Sequence, residues 1–198
     1  MKLTILGSHG PYPGVDGACS GYLLEDNDLN VLIDCGSGVI SRYQRFHDLR
    51  DLKYIILTHL HSDHMSDMLV LRYAVDIMMR KGYIKEPINV FCPSEPVKVL
   101  EELNFNGVFK IKNIDEDLKL NIGNLNISFK KVEHPVSTFA VKFNDGQRTF
   151  VFSSDTVLCK KLIITHLWPQ HTVEDYVKEA SEVIHDVNIA KPFDVYYI

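Results

Sequence analysis

The sequence predicts an α/β protein in which two β-sheets pack face to face and helices cover their outer faces. The first observation behind this prediction is that the strand candidates fall into two groups along the chain, each joined to helix candidates. The second is that 198 residues with 45% hydrophobic side chains can bury one core without disulfides. The sequence contains no obvious linker or repeat, so we expect one domain over residues 1–198.

The first group alternates strands with helices. Its strand candidates are short apolar runs bounded by turn residues: Lys2–Leu6, Gly21–Glu25, Val31–Ile33, Tyr54–Leu57 and Val90–Cys92. Its helix candidates are Val39–His47, Met65–Lys81 and Ser94–Leu103. Apolar residues three or four positions apart predict the second helix. Ser94, followed by Glu95 and Pro96, is a typical start for the third.

The second group is richer in strands. Its strand candidates are Leu118–Ile122, Leu125–Val132, Ser137–Phe143, Gln147–Ser153, Leu162–Thr165 and Val195–Ile198. The turn Asn144-Asp145-Gly146 predicts a hairpin between the third and fourth of them. Thr172 with Asp175 predicts the start of a helix between the last two.

The cysteines and the apolar runs predict a cytoplasmic protein. The four cysteines are scattered and form no CxxC pair, as is usual in a reducing compartment. No apolar run could span a bilayer, and the apolar stretch at the N-terminus is too short for a signal peptide, so we expect no membrane association. The net charge of −5 argues against a broad nucleic-acid surface, although a local cationic centre could still bind a phosphate.

The segment His59-Leu60-His61-Ser62-Asp63-His64 is the part of the chain most informative about function. In an extended segment alternate side chains share a face, so we expect His59 and His61 to point the same way, with Asp63 and His64 aimed at a neighbouring point. Two such pairs suit two metal ions, an arrangement used for hydrolysis. Imidazole and carboxylate ligands favour zinc, with manganese and iron as alternatives. A polar loop of surface histidines is the competing interpretation.

Two ions need more ligands than the motif contains. Three later residues can supply them: His134, Asp155 and His166. Each of these residues follows a strand candidate, and each alone is more typical of a solvated loop. Together with the motif they form a set of histidines and aspartates at strand ends. The predicted metal ligands are His59, His61, Asp63, His64, His134, Asp155 and His166, and the predicted catalytic residues are Asp63 and His64.

These residues and their neighbours resemble the metallo-β-lactamase fold hydrolases, and among them the ribonuclease Z-like branch of bacterial phosphodiesterases. The other supporting motifs are Thr4-Ile5-Leu6-Gly7-Ser8, Leu32-Ile33-Asp34-Cys35-Gly36-Ser37-Gly38, Phe152-Ser153-Ser154-Asp155-Thr156 and Leu162-Ile163-Ile164-Thr165-His166-Leu167. The resemblance implies an αβ/βα sandwich of two mixed sheets with helices on the outer faces and the site at one sheet edge. It also implies a homodimer as the candidate assembly.

The resemblance further implies how the ligands divide between two metal ions. One ion takes His59, His61 and His134. The other takes Asp63, His64 and His166, Asp155 bridges both, and a hydroxide between the ions is the nucleophile. The ligated centre then carries a charge of about +1, which attracts an anionic substrate.

Two places near the motif have two interpretations each. Asp34 could orient a metal-bound histidine, or it could cap the turn at Gly36-Ser37-Gly38. The Ser8–Gly10 loop could present backbone N–H groups or His9 to a substrate anion, or it could be a plain connection. The histidines expected on the surface are His47, His171 and His185, with His171 a candidate for the rim of the site.

The chain departs from the resembled branch in two places. Only 21 residues separate His134 from Asp155, which leaves no room for the arm that grips transfer RNA, so transfer-RNA processing is not expected. Only 11 residues separate Asp155 from His166, where the branch has a strand, loops and a helix. We therefore expect a missing segment near residues 156–162.

The predicted function is that of a dinuclear zinc phosphodiesterase or nuclease, which would act on a phosphodiester or another small molecule, with RNA as a candidate substrate. One alternative is hydrolysis of a lactone, a β-lactam or a thioester at the same site. Another is metal binding without catalysis, if the deletion near residues 156–162 is real.

Overall fold

The fold is that of a computed structural model, which describes residues 1–155, 162–164, 187–189 and 191–198. The predicted α/β architecture with two packed sheets is confirmed. Several predicted features lie outside the described residues: His166, His171, His185, the helix from Thr172, and the link between residues 156 and 161.

Strands supply most of the regular secondary structure in the described residues. They are β1 (Lys2–Gly7), β2 (Gly21–Asp26), β3 (Leu29–Ile33), β4 (Tyr54–Ile56), β5 (Ile88–Cys92), β6 (Phe109–Asn113), β7 (Lys119–Ile122), β8 (Leu125–Val132), β9 (Thr138–Asn144), β10 (Thr149–Phe152), β11 (Leu162–Ile164), β12 (Val187–Ile189) and β13 (Val195–Tyr197).

The first sheet is mixed and has the order β13-β1-β2-β3-β4-β5-β6. Its antiparallel half is built from β13, β1, β2 and β3, and β3 to β6 run parallel. The second sheet, β10-β9-β8-β7, is antiparallel throughout, and the predicted turn at Asn144–Gly146 joins β9 to β10. A separate parallel pair contains β11 and β12.

The helices are shorter than the sequence predicts. In the residues that the structure describes they are α1 (Val39–Tyr43), α2 (Ser62–Met65), α3 (Met68–Arg80) and α4 (Val97–Glu102), with one 3₁₀ turn at Leu49–Asp51. The helix predicted over Met65–Lys81 is divided near Asp67, whose N–H donates to the carbonyl oxygen of Cys35 at 3.0 Å. Ser94 does not cap the last helix. Pro96 is extended and takes the cap position, so α4 begins at Val97, two residues later than predicted.

Two apolar clusters lie on the two faces of the first sheet. One packs α1, α3 and the C-terminal end of α4 against the outer face, with Leu32, Ile55 and Val90 at its centre. The other fills the space between the sheets, where Ile33 and Phe143 are fully buried. Because both faces of β3 and β4 are covered, these strands are apolar nearly throughout.

The two sheets meet at the edge where β4 ends. Since β3 to β6 are parallel, their carboxyl ends share this edge. The N–H of Phe139, in β9, donates to the carbonyl oxygen of Thr58, just after β4, at 3.0 Å. The segment between β8 and β9 is thereby held beside the segment between β4 and α2.

Candidate metal centre

Strand β4 delivers the histidine motif to the sheet edge. Leu57 extends the ladder one residue further, because its N–H donates to the carbonyl oxygen of Phe91 at 2.8 Å. Thr58 and His59 follow and are fully buried. His61 is extended and caps α2, so the chain turns there from strand to helix. This turn separates the pair His59 and His61 from the helical residues that follow.

Three imidazoles converge from both sheets. The Nδ1 atom of His61 lies 3.1 Å from Nε2 of His59 and 3.2 Å from Nε2 of His134. His134 follows β8 in the second sheet, so it reaches this point only because the sheets are packed. Tetrahedral zinc with bonds of about 2.0–2.1 Å requires nitrogens about 3.3 Å apart. Both distances from Nδ1 of His61 fit one such ion, and all three ligand atoms lie within 4.8 Å of one another.

A second group lies beside the first. His59, His64 and Asp155 each offer a ligand atom within 4.8 Å of the others. The Oδ2 atom of Asp155 lies 3.5 Å from Nε2 of His64 and 4.0 Å from Nε2 of His59. His59 belongs to both groups, so Asp155 meets the first group at this shared histidine. Asp63 is not part of either three-residue group, but its Oδ2 lies 3.7 Å from Nε2 of His64.

The structure thus brings together six of the seven residues predicted as ligands, and the seventh, His166, lies outside the described residues. The alternative of surface histidines in a polar loop does not fit the burial of His59 and His64. The ligand division implied by the resemblance, and the catalytic roles of Asp63 and His64, stay predictions.

Asp34 is connected to both groups, to His64 by a direct hydrogen bond and to His59 through the hydroxyl of Thr58. Its carboxylate is fully buried and its Oδ2 lies 2.8 Å from Nδ1 of His64. The backbone N–H of Thr58 donates to Oδ1 at 2.8 Å, and the Thr58 hydroxyl lies 3.1 Å from each carboxylate oxygen. These contacts match the orienting role and not the turn cap. The amides at the start of α1 are bonded instead by Asp67, which accepts from Ile40 N–H at 2.9 Å.

The two buried histidines have opposite protonation preferences. Burial, with His64 nearby, lowers the pKa of His59 to about 2, so its imidazole is neutral and can offer a lone pair. Burial would also lower the pKa of His64, but the Asp34 and Asp155 carboxylates outweigh it and raise that pKa to about 10. A proton and a metal cation would therefore compete for Nε2 of His64.

Close backbone packing holds α2 in place. Cys35 N–H donates to the carbonyl oxygen of His64 at 2.7 Å. A Cβ atom on Gly36 would lie 2.0 Å from the carbonyl oxygen of Asp63. Gly36 therefore allows an approach that no other residue could make without moving α2.

The Ser8–Gly10 loop serves as a connection, because His9 bonds to neighbouring backbone groups. The Nδ1 atom of His9 accepts a hydrogen bond from the N–H of Gly14 at 3.2 Å, and His9 N–H donates to the carbonyl oxygen of Ala18 at 3.1 Å. Burial, together with the positive charge of Arg42, lowers the pKa of His9. His9 is thus used to shape its own loop.

Sequence reasoning missed three supporting residues: Thr58, Asp67 and Ser154. The sequence offered a signal for Thr58, because its hydroxyl stands between an apolar strand candidate and the first histidine of the motif. Its lone pairs and proton have to find partners there. The contacts of Asp67 and Ser154 depend on segments distant in sequence, and no local pattern indicates them.

Within the described part of the chain, no helix has both the length and the apolar character needed to cross a membrane.

Comparison with known proteins identifies the family. A family model described as the beta-lactamase superfamily domain matches residues 29–194. The chain belongs to the beta-lactamase superfamily. The match begins with β3 and includes Asp34 and every ligand predicted here.

Two curated members of the superfamily illustrate the relationship. The chain is 30% identical over 156 residues to the probable metallo-hydrolase YhfI of Bacillus subtilis, covering 79% of this chain and 64% of YhfI. It is 26% identical over 139 residues to a ribonuclease Z of Methanopyrus kandleri, covering 70% of this chain and 48% of that protein. The chain therefore spans less than two thirds of either relative.

Solved structures agree on the superfamily fold. The crystal structure of YhfI from Bacillus subtilis superposes with a TM-score of 0.90 at 25% identity, over 98% of each chain. The human short-form tRNase Z superposes with a TM-score of 0.68 at 17% identity, over 100% of this chain and 99% of that one. The second likeness concerns the fold alone.

Proposed function

We propose that the chain is a metal-dependent hydrolase with two divalent ions, zinc in the first place, and that it cleaves phosphodiesters. The observation that carries the proposal is the convergence of two adjacent ligand groups from both sheets, with Asp155 facing each of them. Manganese and iron are the alternative metals.

The protein's own residues perform three tasks in this proposal. His59, His61 and His134 would hold one ion, and His64 and Asp155, with Asp63 beside them, would hold the other. Asp34 keeps Nδ1 of His64 engaged, so that Nε2 faces the centre. Bound ions would polarise a phosphoryl oxygen and make a water molecule acidic near neutral pH.

The charge balance supports an anionic substrate. The three histidines of the first group contribute no negative charge when neutral, and the carboxylates within 4 Å of His64 are Asp34, Asp63 and Asp155. The two carboxylates proposed to lie at the ions, Asp63 and Asp155, together with a bound hydroxide would remove three of the four charges of two divalent ions and leave about +1. Such a centre attracts a phosphodiester more strongly than a neutral lactone or β-lactam. The similarity to a ribonuclease Z sequence also favours the phosphodiester.

The test is turnover by the zinc- and manganese-loaded protein of bis(p-nitrophenyl) phosphate and of a short RNA, with a panel of lactones, β-lactams and thioesters in parallel. We expect metal-dependent turnover of a phosphodiester, and a loss on the order of 100-fold or more in His134→Ala, because the first ion loses a ligand.

The matched control is His47→Ala, which removes a histidine that pairs with Glu25 at 3.1 Å, outside both ligand groups, and should leave turnover unchanged. Turnover of the lactones, β-lactams or thioesters without turnover of a phosphodiester would contradict the proposed substrate class. Two zinc ions per chain without any turnover would instead support a metal-binding protein that is not an enzyme.

A further inference from the structure

Ser154 has a backbone conformation that a serine rarely adopts. It lies between the end of β10 and Asp155, with φ at 58° in the left-handed region. Glycine usually occupies this region because it has no Cβ atom, and asparagine and aspartate follow because their short polar side chains can hydrogen-bond locally. Such a conformation persists only where the surroundings hold it, and it is commonly found beside functional groups.

The contact that holds Ser154 is a side-chain hydrogen bond across the two sheets. Its hydroxyl donates to the hydroxyl oxygen of Thr58 at 2.7 Å. Thr58 is fully buried and immediately precedes His59. The preceding hydroxyl, of Ser153, donates to the carbonyl oxygen of Ser154 at 3.1 Å and so engages the same peptide unit.

The Thr58 hydroxyl can donate one proton and accept at two lone pairs, so it can bond to three partners. The proton can go to Asp34, whose carboxylate oxygens are both 3.1 Å away. One lone pair accepts from Ser154, and the other faces Nδ1 of His59 at 3.2 Å. With Nε2 of His59 offered to a cation, Nδ1 carries the hydrogen and can donate to Thr58.

We propose that Ser154 is a positioning residue, whose hydroxyl fixes Asp155 against His59 and His64 by bonding to Thr58. This inference rests on the proposed metal site. The Thr58 hydroxyl then connects three supports: Asp34 behind His64, the Nδ1 side of His59, and the turn that carries Asp155. Without the Ser154 hydroxyl, Thr58 loses a donor and Asp155 loses the link that holds its turn to the first sheet.

Two substitutions separate positioning from simple stability. Ser154→Ala removes the hydroxyl and keeps the strained backbone, so both zinc affinity and the thermal stability of the metal-free protein should fall. Ser154→Gly removes the hydroxyl and relieves the strain. Its metal-free stability should therefore exceed that of Ser154→Ala, while its zinc affinity falls at least as far. We expect a loss of zinc affinity on the order of 10-fold in each variant, as for other residues that orient ligands.

The measurement is a zinc titration of each full-length protein against a competing chelator, together with melting of the chelator-treated proteins. Asn27→Gly is the matched control, because Asn27 is another left-handed residue, with φ at 51°, in the turn between β2 and β3. Its zinc affinity should equal that of the wild type. In a Thr58→Val background, Ser154→Ala should add no further loss of zinc affinity, since its acceptor is already gone.

The outcomes separate this inference from the proposed function. A wild-type chain that binds no zinc overturns both. A wild-type chain that binds zinc while both Ser154 variants bind it equally well overturns the role of Ser154 alone. Losses of affinity that simply follow the losses of stability across the two variants also overturn it, because they assign Ser154 a structural role only.

Discussion

The buried carboxylate of Asp34 holds together residues of the candidate metal centre. It accepts from the backbone and hydroxyl of Thr58 and from His64, and none of these partners is its sequence neighbour. Burial raises the pKa of Asp34, while His64 and the hydrogen bonds from Thr58 act to lower it. Asp34 and His64 are held together by contacts between segments that are distant in sequence.

Replacing Asp34 by asparagine should weaken zinc binding without unfolding the protein. Asn tolerates the left-handed backbone at this position, where φ is 56°, but it supplies a weaker acceptor to His64. We expect zinc affinity to fall about 10- to 100-fold in a chelator competition, with an unchanged circular dichroism spectrum. The control is Asp16→Asn, an exposed aspartate with the same φ. Equal zinc affinity in Asp34→Asn and the wild type would contradict the orienting role.

His9 should make the metal-free protein less stable in mild acid. Its pKa is lower in the fold than the usual 6.5, so as the pH falls the unfolded chain takes up the proton first. The stabilisation is present above about pH 6.5 and is lost below it, because a protonated Nδ1 cannot accept from Gly14. The melting temperature should fall between pH 7.5 and 5.5 by roughly 1–4 °C more in the wild type than in His9→Asn.

Both proteins in this comparison are melted in excess chelator. They share every predicted metal ligand, so the titration of the centre cancels between them. Identical pH dependence in His9→Asn and the wild type would show that His9 does not contribute.

At the scale of the elements, the short helix α2 is held by close backbone contact more than by its own length. Four residues make too few helical hydrogen bonds to be stable alone. The N–H of Cys35 donates to the carbonyl oxygen of His64 in α2, and Gly36 lies directly against the carbonyl oxygen of Asp63. The loop after β3 therefore determines where α2 places the two candidate ligands, Asp63 and His64.

Gly36→Ala should damage stability and metal binding together. The added Cβ would lie 2.0 Å from a backbone oxygen, so α2 has to move. We expect a loss of about 1–3 kcal/mol in urea unfolding and a clear loss of zinc affinity. Gly107→Ala is the control, since nothing lies within 4 Å of its added Cβ and only the left-handed backbone, with φ at 70°, opposes it. Wild-type zinc affinity in Gly36→Ala would contradict this account of α2.

Element boundaries show the limits of local sequence patterns. The apolar period over Met65–Lys81 predicts the face of α3 correctly, since Met68, Leu71 and Val75 are buried. It does not indicate the break near Asp67, which depends on bonds to Cys35 and Ile40 some thirty residues away. Strand β6 was also missed, although the alternation of Phe109 and Ile111 with lysines is typical of a half-buried strand.

At the scale of the whole molecule, the centre joins the two sheets. Three of its histidines follow β4 in the first sheet, whereas His134 and Asp155 follow strands of the second. A cation bound here would link the sheets at the edge where the Phe139 to Thr58 hydrogen bond already connects them. Metal binding and the packing of the sheets should therefore be coupled.

Removing the metal should lower the melting temperature of the protein. A ligand present at 100 times its dissociation constant stabilises the folded state by about 2.7 kcal/mol, which corresponds to roughly 5–11 °C for a chain of this size. We expect this shift on adding excess EDTA to the zinc-loaded protein, measured by calorimetry. A double variant, His61→Ala with His134→Ala, should show a much smaller shift. An EDTA shift of equal size in both proteins would place the stabilising ion elsewhere.

The amino-acid sequence by itself determined the two-sheet α/β fold and the identity of the candidate ligands, because apolar periodicity and the density of histidine at strand ends are local properties. Only the tertiary structure decided which atoms meet. His134 reaches His61, and Ser154 reaches Thr58 ninety-six residues away, because the packed sheets hold them there. Such contacts depend on the relative placement of distant segments, which no pattern within either segment specifies.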